Sequence, residues 1–339
     1  MNAMGKFTEY FLQDVWRVMR PLAYHGFGKS GPFFEGWYFK LISPDGAYRM
    51  SVIPGIYIGT QAQDSHSFVQ LIDGENDNSY YIPFSIGDFR FIHGEMDISI
   101  VGNHFMQKGI NLDLYFNDFS LVGELSFSGL NPWPVTPLSP GVMGWYAWVP
   151  GMECYHGIAS MDHLITGELM INGKRVDFTG GRGYMEKDWG RAMPRSWVWM
   201  QSNHFNRVGT SLSISIADIP WGRHNFVGFL CGFLLDGHLH RFTTYTGAKI
   251  SHLSVSENSI QFGLWDKTKR LMVTAYRAQG FKLQAPTTAQ MDRRIMETLS
   301  ATIDITFEKK NKNGWNEIFS GKGRFAGLEV VGDTNTLIG

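Results

Sequence analysis

Residues 183–205, GYMEKDWGRAMPRSWVWMQSNHF, decide how the remainder of the chain is read. In an extended chain successive side chains point to opposite faces. Tyr184, Glu186 and Asp188 then share one face, and Met185, Lys187 and Trp189 share the other. Gly190 and Pro194 bracket a turn. Beyond it Trp197, Trp199, Gln201 and Asn203 line one face, with Val198, Met200 and His204 behind them. Two adjacent strands therefore concentrate carboxylates, an amine, amides and three indoles. An acid beside aromatic faces is what chemistry through a carbocation requires. A Trp-rich sandwich core with a structural ion pair fits the same residues equally well.

Working outward, the chain keeps this habit of short alternating runs. Residues 32–43, 47–59, 66–73, 80–86, 96–102, 110–116 and 121–129 read as strands, cut by turns such as SPDG (43–46) and DGEN (73–76). Residues 130–151 are rich in Pro and Trp and too irregular for a strand, as functional loops and domain linkers are. Strand signals resume at 154–171 and 174–180, and the second half repeats the meander from 197 onward. Two segments carry helical spacing: 1–24, where Phe7, Phe11, Val15 and Val18 recur before Pro21, and 287–298. The expected fold class is all-β, two antiparallel barrel or sandwich domains, each large enough to hold a small ligand. The domains are expected at 1–190 and 191–339, with 150 as a competing boundary.

Composition narrows the function. The 339 residues include 18% charged and 14% aromatic residues with 11 Trp, against roughly 25% charged in ordinary domains. That excess suits large apolar interiors or a pocket for a sizeable apolar ligand. A net charge of −1 gives no general pull toward nucleic acid or an anionic membrane. Cys154 and Cys231 make neither a disulfide framework nor a zinc site and suit a reducing cytosol. The N-terminus lacks a signal-peptide pattern, and no run approaches ~20 apolar residues. A soluble, cytoplasmic protein is expected.

PFFEGWYFKL (32–41), the 183–205 stretch and the late APTT (285–288) together resemble the tocopherol cyclase family. Glu186-Lys187-Asp188-Trp189-Gly190 stands where that family carries Glu-Lys-Asn-Trp-Gly, and Pro194-Arg195-Ser196-Trp197 matches its Pro-Arg-x-Trp strand. The resemblance implies a pair of lipocalin-like β-barrels with an apolar cavity near their junction, distantly similar to carotenoid hydratases. It also implies intramolecular ring closure. A side-chain double bond of a prenylated hydroquinone is protonated and the phenol oxygen closes a chromanol ring, with no redox change and no cofactor. A carrier of an apolar lipid and an isoprenoid hydratase are the alternatives on the same fold. The partner is an apolar small molecule, with room for transient membrane-surface contact.

The resemblance and the residue chemistry assign Glu186, Asp188 and Lys187 as catalytic. A carboxyl buried in an apolar pocket stays protonated near neutral pH. The substrate-binding set is Glu35, Trp37, Tyr184, Trp189, Trp197, Trp199, Gln201 and Asn203, the indoles sheltering the cation and the amides holding phenol hydroxyls. If the Lys187–Trp189 face lines the cavity instead, Lys187 orients a hydroxyl and Glu186 merely pairs with it. Glu35 reads as a second pocket acid or as a buried partner for Arg49. His238 and His240 have metal-compatible spacing, but without a third ligand a solvated hairpin edge is expected, and no metal. His156 and His163 flank Asp162, more as structural histidines than as a proton relay.

Overall fold

Period-2 burial makes the strands. In Gly109–Phe116, Ile110, Leu112 and Leu114 are buried while Asn111, Asp113 and Tyr115 are exposed, so one face packs and the other meets water. The structure, a computed structural model, describes residues 15–74 and 78–337. Its strands form two large antiparallel sheets, twelve strands within 33–190 and ten within 197–331, and a small ribbon, Val135–Thr136 with Ser139–Pro140. Among the described residues no helix is long and apolar enough to cross a membrane.

The two sheets repeat one plan. In the first, Phe33–Ile42 lies between Arg49–Ile58 and Arg182–Gly190. In the second, Trp197–Ser202 lies between Ser211–Trp221 and Gly314–Val331. Each sheet also curls on itself. Asn78–Ser85 and Phe89–Phe91 are the opposite ends of an eleven-strand path, yet only Ile86–Asp88 separates them in sequence. A flat path would hold them ~48 Å apart, whereas that connection spans at most ~14 Å. His238–Thr243 and Lys249–Val255 stand in the same relation at the ends of the second sheet. These are lipocalin-like sheets, all-β as the alternation implies.

One core fills each sheet, and a third lies between them, built from Tyr38, Met143, Met152, Tyr184, Trp197, Trp199, Leu283 and Ile295. Polar clamps fix the junction. Gln70 Nε2 donates to Gln284 O at 2.9 Å and Gln284 N donates back to Gln70 Oε1 at 2.8 Å. The link between the sheets is pinned as well, with Arg293 donating to Pro194 O and Arg195 O at 2.6 and 2.5 Å.

The helix expected at 287–298 does not form. Arg293–Asn311 is a strand held between Phe281–Ala285 and Gly314–Val331. Ile295, Glu297 and Leu299 alternate along it, all buried, a pattern that four-residue spacing from Met291 to Ile295 mimicked. Of the helix expected at 1–24, residues 15–18 are helical, and 1–14 lie outside the described residues.

Candidate active site

Strand alternation delivers the site. Tyr38 comes from the first strand of the first sheet, and Tyr184, Glu186 and Asp188 from the strand beside it. Trp197 and Trp199 come from the first strand of the second sheet, whose neighbour places Glu329 opposite Trp199. The next strand over sets Glu297 opposite Glu329. Two glycines permit the approach: a Cβ on Gly190 would overlap the Glu153 carbonyl, and one on Gly327 would stand 2.7 Å from the Trp199 ring. Between the sheets lies a cavity lined by Tyr38, His156, Glu186, Asp188, Trp197, Trp199, Glu297 and Glu329 together with Ile53, Phe68, Met143, Tyr146, Phe229 and Leu283.

The carboxyls facing this cavity take aromatic donors. Glu186 Oε2 accepts from Tyr184 OH at 2.5 Å and from Trp199 Nε1 at 3.1 Å. Glu297 Oε1 accepts from Tyr38 OH at 2.5 Å, and Glu329 Oε2 from Trp197 Nε1 at 2.6 Å. Glu297 Oε2 is buried and receives no donor. His156 bridges two acids, with Nδ1 2.8 Å from Asp188 Oδ1 and Nε2 3.5 Å from Glu186 Oε2. Among the described residues, no Lys or Arg lies within ion-pair distance of Glu186, Glu297 or Glu329.

Electrostatics follow from that geometry. Burial pushes Glu186 up to about 7, Asp188 adding to the rise while His156 opposes it. Burial pushes Glu329 up to about 8, and the charges of Glu186 and Asp188 act in the same direction. Glu297 is raised well above the usual carboxylate range by burial and by Glu329 beside it. Burial alone would lower His156, but Asp188 and Glu186 outweigh it and bring the imidazole up to about 9. The cavity thus keeps neutral acids and one imidazolium side by side near pH 7. His156, Glu186 and Asp188 offer three donor atoms within 4.8 Å of one another, the set that could hold a metal ion. An ion there would compete with the Asp188–His156 bond.

The remaining expected residues lie elsewhere. Glu35, Trp37, Lys187 and Trp189 occupy the opposite face of the same two strands, inside the first sheet. Lys187 Nζ is 2.5 Å from Glu35 Oε1, 2.7 Å from His25 Nδ1 and 3.0 Å from Pro21 O, and also donates to Ala23 O. It sits 4.4 and 5.1 Å from the Trp189 and Trp37 ring centroids. Glu35 therefore pairs with Lys187 and not with Arg49, which donates to Gly74 O, and neither Glu35 nor Lys187 reaches the cavity. Gln201 continues the Trp197–Trp199 face one step beyond the cavity, where its Oε1 accepts from Lys40 at 2.8 Å. Asn203 is bound to Asp162 Oδ1 and Gly183 O. His163 is buried with both ring nitrogens unpartnered, and burial lowers it to about 3. His238 stands exposed at a strand edge, and His240 packs on Phe307 at 4.7 Å.

Sequence reasoning missed Glu297, Glu329 and Tyr38, and read His156 as a structural histidine near Asp162, whereas it sits between Asp188 and Glu186 at the cavity. Glu329 carried a signal, a single charge inside the apolar run Gly327-Leu328-Glu329-Val330-Val331. Glu297 was hidden by the helical reading of its segment.

Comparison with known proteins bears on the family and the fold. A family model described as tocopherol cyclase-like matches residues 130–332. The chain is similar to the chloroplastic tocopherol cyclase of Zea mays, 25% identical over 370 residues, covering 91% of this chain and 77% of that one. It is equally similar to an Oryza sativa subsp. japonica protein named probable tocopherol cyclase, chloroplastic, 25% identical over 369 residues with the same coverage. In structure it resembles CghA in complex with Sch210972, at TM-score 0.52 and 10% identity over 89% of each chain. An AttH-type protein from Nitrosomonas europaea gives TM-score 0.52 at 15% identity, covering 92% of this chain and 95% of that one. The two structural likenesses speak to the fold.

Proposed function

This chain belongs to the tocopherol cyclase-like family, and from that premise we propose that it closes a ring in a prenylated hydroquinone or a related isoprenoid by acid-triggered addition. The observation that carries this reading is a group of buried carboxyls, unmatched by Lys or Arg, facing a cavity walled by Trp197, Trp199 and Tyr38. An apolar cavity accepts the prenyl tail, and burial keeps a carboxyl protonated at the pH where the protein works.

The chemistry balances without a cofactor. A carboxyl O–H breaks as a C–H bond forms at the less substituted alkene carbon. The positive charge that develops on the more substituted carbon is attracted to the indole and phenol faces, an interaction stronger in the transition state than in the ground state. The phenol oxygen then forms the C–O bond, and its proton passes to an ionised carboxylate of the same cavity, for which Glu186, with His156 and Asp188 beside it, has the geometry. Substrate and product have one formula.

Incubation of the purified protein with a phytyl hydroquinone tests the proposal. The expected product has unchanged mass and altered chromatographic retention. Binding of the hydroquinone without any conversion would make the protein a carrier, and a product heavier by one water would make it a hydratase.

A further inference from the structure

We infer that Glu297 and Glu329 form the proton donor of this cavity, a carboxyl pair with the acidic hydrogen on Glu297 Oε2, and that Glu186 is the acceptor. The inference deepens the ring-closure reading and rests on it. Glu297 and Glu329 are register-opposed residues on adjacent antiparallel strands, a relation that sets their side chains next to each other. Both line the cavity. Each gives one oxygen to an aromatic donor, Glu297 to Tyr38 and Glu329 to Trp197.

The second oxygen of Glu297 decides the direction. Tyr38 OH donates to Oε1, so Oε1 serves as the acceptor and the acidic hydrogen belongs on Oε2. That atom is buried and receives no donor, in a residue 1% exposed that lines the cavity beside its hydrogen-bonding neighbour Glu329. An ionised Glu297 would place a second negative charge against Glu329 in a site with no paired cation, which burial forbids. Neutral Glu297 holds a hydrogen that it shares with the facing Glu329 carboxylate and that a cavity occupant can take.

Glu186 is placed differently. Its Oε2 accepts from Tyr184 and Trp199 and lies beside His156, so hydrogen bonds and a cation oppose the burial that raises it and make it ionise before Glu297 and Glu329. In the reaction Glu297 Oε2–H breaks, the alkene carbon gains that hydrogen, and the phenolic proton ends on Glu186. One proton leaves the pair and one arrives at Glu186. Exchange with water protons resets the site, and nothing is oxidised or reduced.

Glu297→Gln and Glu329→Gln are to be compared with the wild type on the phytyl hydroquinone across pH, each variant checked by near-ultraviolet circular dichroism. Glu297→Gln should lower kcat at least ~100-fold with KM little changed. Glu329→Gln should retain more activity but move the high-pH fall of the profile downward, because Glu297 loses the neighbour that raises it; a purely structural residue would not move that limb. Wild-type kcat and an unshifted profile in both variants would overturn the pair while leaving ring closure standing. If the wild type converts no hydroquinone, the ring-closure reading falls and infrared titration decides the pair. A neutral-carboxyl band that persists above pH 7 and is lost in either variant supports it, and a band unchanged in both overturns it.

Discussion

The two faces of Arg182–Gly190 carry similar residues to opposite ends. On the inner face Lys187 meets Glu35, His25 and two backbone carbonyls, so each charge is matched where it is buried. On the cavity face Glu186 meets a phenol, an indole and an imidazole, and the acids across from it meet aromatic donors and each other. Matched charge holds the N-terminal segment against the first sheet. Unmatched acid stays neutral and available. Whether a buried ionisable group is structural or chemical is therefore decided by its partners and not by its depth.

The largest effect should fall on the inner face. Lys187→Ala leaves Glu35 as an uncompensated buried charge and should reduce unfolding stability by about 3–5 kcal/mol, read from urea denaturation. Replacing the pair together, Glu35→Leu with Lys187→Met, should recover most of that loss. If Lys187→Ala is as stable as the wild type, the faces do not differ as described.

Glu186→Gln is the counterpart on the cavity face. Turnover should fall at least ~100-fold with stability unchanged or higher. The sign follows from the raised pKa: Glu186, Glu297 and Glu329 ionise more easily unfolded than folded. Wild-type stability should thus decline as pH rises from about 4.5 through 7 to 8, and the decline should be shallower in Glu329→Gln. A flat urea midpoint across that range would contradict the neutral-acid assignment.

Smaller effects should sharpen the contrast. Asp188→Asn removes the charge that does most to hold His156 near 9, so Glu186 loses its cationic neighbour. The acid limb of the rate profile should move upward, with a loss on the order of tenfold at pH 7. Trp199→Phe keeps an aromatic face but removes the Nε1 donor to Glu186, worth about 0.5–1.5 kcal/mol. A loss of only a few-fold in kcat is expected.

Much of this was legible in advance. Alternation in 183–205 separates Tyr184, Glu186 and Asp188 from Met185, Lys187 and Trp189, and the structure keeps that separation. Which face meets a cavity was not legible, because both offer aromatics and charges. Glu35 was open to two readings for the same reason, since its partner lies 152 positions away in sequence, at Lys187 rather than Arg49. Glu297 and Glu329 enter the site only through pairing between distant strands. Local spacing cannot express that, and at 287–298 it pointed to a helix where cross-strand bonding imposes a strand.

The most direct measurement is turnover of the phytyl hydroquinone in deuterium oxide. Protonation of the alkene by a cavity carboxyl should give a ring-closed product carrying one deuterium on the former alkene carbon. A ring-closed product without carbon-bound deuterium, or recovery of unchanged hydroquinone, would contradict the acid chemistry assigned to this cavity.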